Sequence, residues 1–440
     1  RRQRGRSVNR DRATAETVLA VLAVGAAAVG IWPLVVAVSA PLPVTGLVAH
    51  VSGMLAGYGV LVLLVLVSRW PVLERGLGAD VLARAHAVLG RTVLTLVLVH
   101  AVTAVMVWAQ LTGQSVGSAF LEALGWQGMV AATVGAVLLC AAAGISIRAA
   151  RRKVSHETWH RVHLLTYLAV ALSFVHQLAG PDLAGRPLLQ VLWSLLYTGA
   201  FGLVLTYRVL APLRSASRHR LRVVAVVPEA PGVVSVIVEG RLVHELAAQS
   251  GQFFRWRFLT PGLWLTAHPF SLSAPPVGNR MRLTVKALGD GSGRVQQVPV
   301  GTRVIAEGPY GALTASRRTR RDVLLVAGGV GITPMRALFE TLPLTAGQDL
   351  VLLYRADHRD QIVFRAELDA LAAERHARVV YLLGDNPDLL SAPSLDRLVP
   401  GLAERDVYLC GPPGMTAALR SSLAHAGVPD RHVHEERFAL

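Results

Sequence analysis

Four histidines fall at the start of, or inside, two stretches apolar enough to cross a bilayer, which rules out an ordinary soluble fold. His86 and His100 lie fourteen residues apart around the stretch 87–108, and His163 and His176 thirteen apart in the stretch 162–178. Imidazole in hydrocarbon is costly unless bound or hydrogen-bonded, so such residues mark function. On an ideal helix the first pair is separated by about 21 Å of rise and roughly 40° of rotation, and so shares a face. The second pair is about 19.5 Å apart in rise but some 140° apart around the helix. A kink, a bulge or side-chain reach must therefore realign it.

The depths match across the two helices. His86 stands level with His163 on the inner side, and His100 with His176 towards the outer side. Two haems stacked across the bilayer, one held by each cross-helix pair, account for all four residues. Bis-histidine iron has no open position and suits electron transfer. Without a CxxCH attachment motif the haems are expected to be b-type. The bland alternative is packing or interfacial histidine. It fits His86 and His163, near helix starts, better than His100 and His176. His156 and His160, in the basic run HETWHRVH, read as interfacial, with His160 the rival to His163.

Six apolar stretches, near 17–38, 51–68, 87–108, 128–147, 162–178 and 189–210, approach the roughly 20 residues a membrane helix needs. Basic residues collect on one side: Arg1, Arg2, Arg4, Arg6, Arg10 and Arg12 before the first, Arg69, Arg75 and Arg84 after the second, and Arg148, Arg151, Arg152, Lys153 and Arg161 after the fourth. The opposite loops, 39–50, 109–127 and 179–188, hold only Arg186. Both ends of the chain are thus expected in the cytoplasm of a bacterial cell, with the lipid bilayer as the main partner. The net charge of +16 follows from this pattern, and no aromatic-basic platform for nucleic acid accompanies it. Cys140 and Cys410 fall in a span and in the cytoplasmic half, so no disulfide is expected.

From about 214 short apolar runs broken by Gly and Pro, such as 220–229, 233–240 and 281–288, predict a small antiparallel β-barrel. From about 322 strand, glycine turn and helix alternate, predicting a doubly wound α/β nucleotide-binding domain. Gly328, Gly329 and Gly331 follow one strand, and Gly411 and Gly414 another, so that backbone N–H groups can approach a pyrophosphate. The bland reading of each turn is a tight strand–helix connection. The expected organisation is a basic segment 1–16, a six-helix transmembrane bundle 17–213, a β-barrel flavin domain 214–320 and a nucleotide domain 321–440.

In this combination the chain resembles prokaryotic members of the NADPH oxidase and ferric reductase superfamily, over about residues 15–440. In that family a ferric-reductase-like membrane domain is joined to a ferredoxin-NADP reductase-like module. The family's histidine spacings of fourteen and thirteen are met here. The resemblance implies FAD, two haem b groups and NADPH, with NADH possible. HPFSL at 268–272 matches the flavin segment, implying His268 on the phosphate side, Pro269 within the motif, Phe270 beside the flavin and Ser271 near its reactive nitrogen. VKALGDGS at 285–292 brings Lys286, Gly289 and Ser292 towards ribose and phosphates. EGPYG at 307–311 supplies Gly308, Tyr310 and Gly311. AGGVGITP at 327–334 adds Thr333 and Pro334 to the dinucleotide turn. CGPPGM at 410–415 implies Cys410 and Gly411 near the nicotinamide, and EERFAL implies Phe438 stacked on the isoalloxazine. Arg355 ends a strand where a 2′-phosphate would lie. Cys410, Phe438 and Ser271 are the residues expected to position the hydride step.

The function implied is electron flow from cytoplasmic NADPH through FAD and haem to extracellular oxygen, giving superoxide. Ferric chelate, a quinone or a redox partner are the alternative acceptors. No obligatory protein partner is evident. Loops 39–50 and 109–127 lack basic residues for anionic chelates, which favours oxygen, and His50, Gln110, Gln114 and Gln127 are candidates for the acceptor pocket. A transporter or proton channel with a redox sensor would use the same histidines but hold no haem.

Overall fold

The computed structural model describes residues 2–39, 41–146, 154 and 156–436. Arg1, Arg148, Arg151, Arg152, Lys153 and Phe438 lie outside the described residues. The chain divides into two compact units, Arg1–Ala211 and Pro212–Leu440.

Among the described residues, six helices are long and apolar enough to cross a membrane: Arg12–Val38, Val44–Val67, Val81–Thr112, Met129–Ser146, Thr158–Ala179 and Pro187–His219. The second span is the centre of the bundle, 56% buried along its most apolar window against 6% for the first. Its glycines explain this. A Cβ on Gly57 would stand 2.9 Å from Gln177 Oε1, and one on Gly59 would stand 2.6 Å from Val93 Cγ2. Small residues permit the close backbone approach that drives helix association in lipid, where the hydrophobic effect between helices is absent. The fourth and fifth spans meet in the same way, Gly135 packing on the Ala169 carbonyl.

The fifth span is not one helix. It breaks at Ser173 into His156–Leu172 and Phe174–Ala179. Ser173 Oγ donates to the Val170 carbonyl at 2.9 Å, and Gln177 Nε2 donates to the Ser173 carbonyl at 3.1 Å. These bonds satisfy polar groups at the break from within, as hydrocarbon demands. The sixth span is also irregular, with a π-turn at Thr206–Leu210.

The second unit begins with β1 (Arg222–Ala230), β2 (Val233–Glu239), β3 (Phe253–Phe258), β4 (His268–Ser271), β5 (Arg280–Lys286) and β6 (Val304–Tyr310). They form two antiparallel sheets, ordered β1-β2-β5 and β4-β3-β6. Bridges Arg222–Arg303 and Leu272–Leu283 join the sheet edges into a barrel. Strand alternation in FFRWRF sends Phe254, Trp256 and Phe258 into its core.

Then come β7 (Val323–Gly328), β8 (Leu350–Ala356), β9 (Arg378–Leu383), β10 (Asp406–Cys410) and β11 (Val433–Glu436). All are parallel, in the order β11-β10-β7-β8-β9. β7 is apolar throughout because both its faces are covered. Val323, Leu325 and Ala327 pack with Met335, Leu338 and Phe339 on one side, and Leu324 and Val326 with Leu419 and Leu423 on the other. Strand order reverses between β7 and β10, which opens a crevice at their carboxyl ends.

At the opposite end of the sheet Asp406, fully buried, ties three segments together. Oδ2 accepts the backbone N–H of Arg320 at 2.6 Å and that of Thr319, while His432 Nδ1 and His434 Nε2 each stand 3.2 Å from Oδ1. Burial opposes ionisation, but the hydrogen bond from His434 and those from the backbone of Arg320 and Thr319 outweigh it and hold the carboxyl well below its usual range. A depressed folded pKa adds stability that is present above the unfolded value of about 3.9 and lost as pH falls through the lower folded value. Asp406→Asn is therefore expected to cost about 1–3 kcal/mol at pH 7. The gap between parent and variant thermal midpoints should close below about pH 4; a gap constant from pH 7 to pH 3 would show that the charge is not what stabilises.

Candidate functional site

In the membrane unit the structure brings the four histidines together as two pairs. The His86 and His163 rings lie 6.1 Å apart between centroids, and those of His100 and His176 6.4 Å apart. The break at Ser173 falls between His163 and His176, and both rings face histidines of the third span. The third and fifth spans meet through these rings and otherwise make almost no close backbone approach. The rival His160 has its ring contact with Trp159, whereas His163 stacks on Trp159 and faces His86.

His100 shows how a ring is set. Its Nδ1 lies 2.8 Å from the Ala49 carbonyl, which can only accept, so Nδ1 carries the proton and Nε2 keeps its lone pair. Gly53 makes the space, since a Cβ there would lie 2.6 Å from Nδ1. Among the described residues the Nδ1 atoms of His86, His163 and His176 are buried without a hydrogen bond of normal geometry.

Two polar residues near these pairs, Arg208 and Gln177, were not singled out from the sequence. Arg208, the one charged residue of the stretch 189–210, lies on the π-turn and donates to the Tyr167 hydroxyl at 3.0 Å. Its charge acts on both His86 and His163. A lone charge in an apolar stretch was the available signal. Gln177, next to His176, accepts from Trp193 Nε1 at 3.0 Å and lies 2.9 Å from the Tyr197 hydroxyl. His50 pairs with Asp182 at 3.0 Å, both nearly buried. Gln110 and Gln114 line a cavity of about 390 Å³ with Met106, Ala109, Gly113 and Val116 at the end of the third span. His50 and Gln127 do not line it.

In the second unit β3 holds two motif segments side by side. It pairs with β4 on one edge, Phe253 opposite Ser271 and Phe254 opposite Phe270, and with β6 on the other, Phe253 opposite Tyr310. Trp256 Nε1 donates to the Phe270 carbonyl at 2.9 Å, which pins the HPFS strand. Ser271 is buried, and its Oγ has no hydrogen-bond partner among the described residues. His268 stacks on Phe270 at 6.1 Å and packs on Gly291, where a Cβ would lie 2.8 Å from its Cε1. The turn after Lys286 thus comes to the HPFS segment. Ser292 shapes that turn, its Oγ accepting from the N–H groups of Leu288 and Gly289. Gly308 and Gly311 take left-handed φ values of +151° and +92°.

The two glycine turns of the nucleotide layer meet in the crevice at the strand-order reversal. A Cβ on Gly331 would lie 2.1 Å from the Cys410 carbonyl, and one on Gly411 3.2 Å from the Gly328 nitrogen. Only glycine allows this approach. Thr333 Oγ1 donates inward to the Val330 carbonyl at 3.0 Å, so this side chain braces the turn. Pro334 is buried beside it. Arg355 sits in register with Gly328 at the same sheet edge, as does Cys410 with Ala327 and with Glu436. Glu436 was not singled out from the sequence. A Cβ on Gly311 would lie 3.4 Å from its carboxylate, so the end of β11 stands beside the flavin-motif turn.

Residues 52–174 match the family model described as "Ferric reductase like transmembrane component", and residues 325–421 match "Oxidoreductase NAD-binding domain". The chain is 33% identical over 230 residues to the "3-ketosteroid-9-alpha-monooxygenase, ferredoxin reductase component" of Mycolicibacterium smegmatis, covering 50% of this chain and 65% of that one. It is 29% identical over 240 residues to "Ferredoxin--NADP reductase B" of Sorangium cellulosum, covering 51% of this chain and 98% of that one. Among solved structures, the FAD/NAD-binding domain of nitric oxide dioxygenase from Vibrio cholerae aligns at 25% identity and TM-score 0.42, over 50% of this chain and 99% of that one. The chain spans 65% and 54% of the length of the first two curated relatives it matches. It joins a ferric-reductase-like membrane region to a reductase module of the flavin- and NAD(P)-binding kind.

Cys410 is fully buried at the end of β10. Burial, with the nearby charges of Glu436 and Glu435, pushes its thiol well above the ordinary range. It is therefore a neutral packing group, not a thiolate. Iodoacetamide at pH 8 should alkylate Cys410 far more slowly in the folded chain than after denaturation, as read by mass spectrometry. Equal rates would overturn that assignment.

Proposed function

We propose that this chain is a transmembrane oxidoreductase that takes electrons from cytoplasmic NADPH and delivers them, by way of FAD and two b-type haems, to oxygen on the far side of the membrane as superoxide. The observation that carries this is the pairing of histidines at two depths on the third and fifth spans. Two imidazoles bound to one metal ion at about 2.0 Å each place their ring centroids roughly 6 Å apart. Both pairs have this separation. Among the described residues no group of three or more His, Cys, Asp or Glu forms a metal site, but a porphyrin supplies four ligands itself and needs only the two histidines.

When bound, FAD accepts two electrons as a hydride and haem iron carries them singly, which is the chemistry this chain lacks in its own side chains. The residues present fit these groups. His86 with His163 would hold one haem and His100 with His176 the other, and Arg208 would offer a cation to the acidic groups of the first. Ser271, with its unpartnered buried hydroxyl, would meet a flavin ring atom, with Phe270 and Tyr310 flanking. His268, Lys286 and the 289–292 turn would face the flavin phosphates, with Pro269, Gly308 and Gly311 shaping the platform. Gly328, Gly329, Gly331 and Gly411 would admit the dinucleotide, braced by Thr333 and Pro334. Arg355 would meet a 2′-phosphate, and Cys410 with Phe438 would position the nicotinamide.

The acceptor has two readings. The lack of basic residues in loops 39–50 and 109–127 favours oxygen. The match of residues 52–174 to a ferric-reductase-like model favours a ferric chelate as substrate.

Purified protein should give a low-spin haem spectrum and a pyridine haemochrome ratio near two per chain. His100→Ala should lose one haem of the two. A ratio of one in the parent, or an unchanged ratio in His100→Ala, would refute the ligand assignment. In a separate measurement, NADPH should drive dismutase-sensitive superoxide formation in membranes. Fast anaerobic reduction of ferric citrate with little aerobic superoxide would replace the oxidase reading with the ferric reductase one.

A further inference from the structure

We propose that Glu367, gripped by Arg282 and Arg336, is a positioning residue for hydride transfer that locks the flavin barrel onto the nucleotide layer. This rests on the reading of the second unit as a module that passes hydride from NAD(P)H to flavin.

Arg282 lies on β5 of the barrel, while Glu367 and Arg336 belong to the helices Arg365–Arg375 and Ile332–Thr341 beside the parallel sheet. Arg282 donates both terminal nitrogens to the Glu367 carboxylate, at 2.8 and 2.9 Å. Arg336 Nε donates to the same carboxylate at 2.8 Å, and its NH1 also bonds Glu340. Bidentate guanidinium–carboxylate geometry fixes orientation as well as distance. The arginine ends are nearly buried, with side-chain exposures of 16% and 10%. Burial opposes ionisation of Glu367, but the hydrogen bond and charge of Arg282, with the charge of Arg336, outweigh it and keep its pKa below the ordinary value.

Two further features show that the contact is built. Arg282 is anchored from behind, donating to Ser273 Oγ and to the Ser273 carbonyl. Ser273 Oγ in turn belongs to a buried hydroxyl chain with Thr284 and Ser235. The guanidinium also lies 4.7 Å over the ring of Phe364, a buried non-glycine residue at φ +62° that begins the helix carrying Glu367. Such backbone strain persists only where its surroundings hold it.

Each end of the clasp continues into a cofactor-motif turn. β5 runs from Arg282 to Lys286 and the 289–292 turn, and the helix bearing Arg336 starts at the Gly328–Gly331 turn. Holding these two elements in one geometry sets the separation between nicotinamide and flavin. In the step so controlled, a hydride carrying two electrons would pass from NADPH to oxidised FAD, leaving NADP⁺ and the two-electron-reduced flavin.

The test uses Glu367→Gln in the 440-residue chain in lipid nanodiscs, with Arg282→Lys as second variant. In anaerobic stopped flow, the flavin reduction rate at saturating NADPH should fall roughly 10- to 100-fold in Glu367→Gln, as expected for misplacement far from the chemistry. Half-saturating NADPH and FAD content should stay at parent values. Amide exchange should accelerate in both 280–286 and 365–375, and Arg282→Lys should show the same pattern to a smaller degree. Parent-like rates and exchange in both variants would overturn the proposal. So would loss of FAD with an unchanged rate per bound flavin, which is the mark of a merely structural role. If NADPH fails to reduce the flavin of the parent, the underlying module reading fails instead. Amide exchange then decides the clasp alone, and equal exchange in parent and Glu367→Gln overturns it.

Discussion

An imidazole ring placed in hydrocarbon must be given something to bind, and that requirement organises the membrane unit. Each of the four rings stands opposite another, and the surroundings are arranged to keep the pairs in place. His100 gives its Nδ1 proton to the Ala49 carbonyl, and Gly53 is small enough to leave room for the ring. The second span supplies both of these groups, which is one reason it is the buried centre while other spans face lipid. The fifth span gives up helical continuity at Ser173 so that two residues some 140° apart on an ideal helix can present rings to one neighbour.

The second unit solves a different problem, that of bringing polar ligands close to backbone. Its means are the glycines at the strand-order reversal and the positive-φ glycines of the barrel rim. Apolar strands buried on both faces make the parallel sheet stiff, so that turns at its edge inherit fixed positions. Asp406 fastens the entering segment and β11 at one end of the sheet, while the glycine turns occupy the other. Stability and ligand approach are thus separated along the same strands.

Much of this was legible in the sequence because it is carried by local patterns. The six apolar stretches, the strand–glycine–helix alternation and the histidine spacing are all periodicities that neighbouring residues define. What could not be read was set by distant partners. Nothing local announces that Ser173 interrupts its helix, since Ser and Gln side chains that satisfy a break look like ordinary polar residues. β4 and β6 lack clean alternation because motif residues occupy their positions. Glu436 and Glu367 acquire meaning only when β11 and β5 come beside Gly311 and the helix Arg365–Arg375. Arg208 is the exception, a lone charge whose sequence position alone was a sufficient signal.

The interruption at Ser173 has a consequence for evolution as much as for geometry. A continuous helix would couple the two histidine depths as a rigid rod, so that any tilt favouring one site would be transmitted to the other. Two short segments joined by a hydrogen-bonded joint relax separately. Substitutions around His176 can then alter the polarity and packing of the outer pair while the inner pair keeps its environment. If the pairs hold haems as proposed, that independence would allow the driving force between the two to be adjusted one at a time.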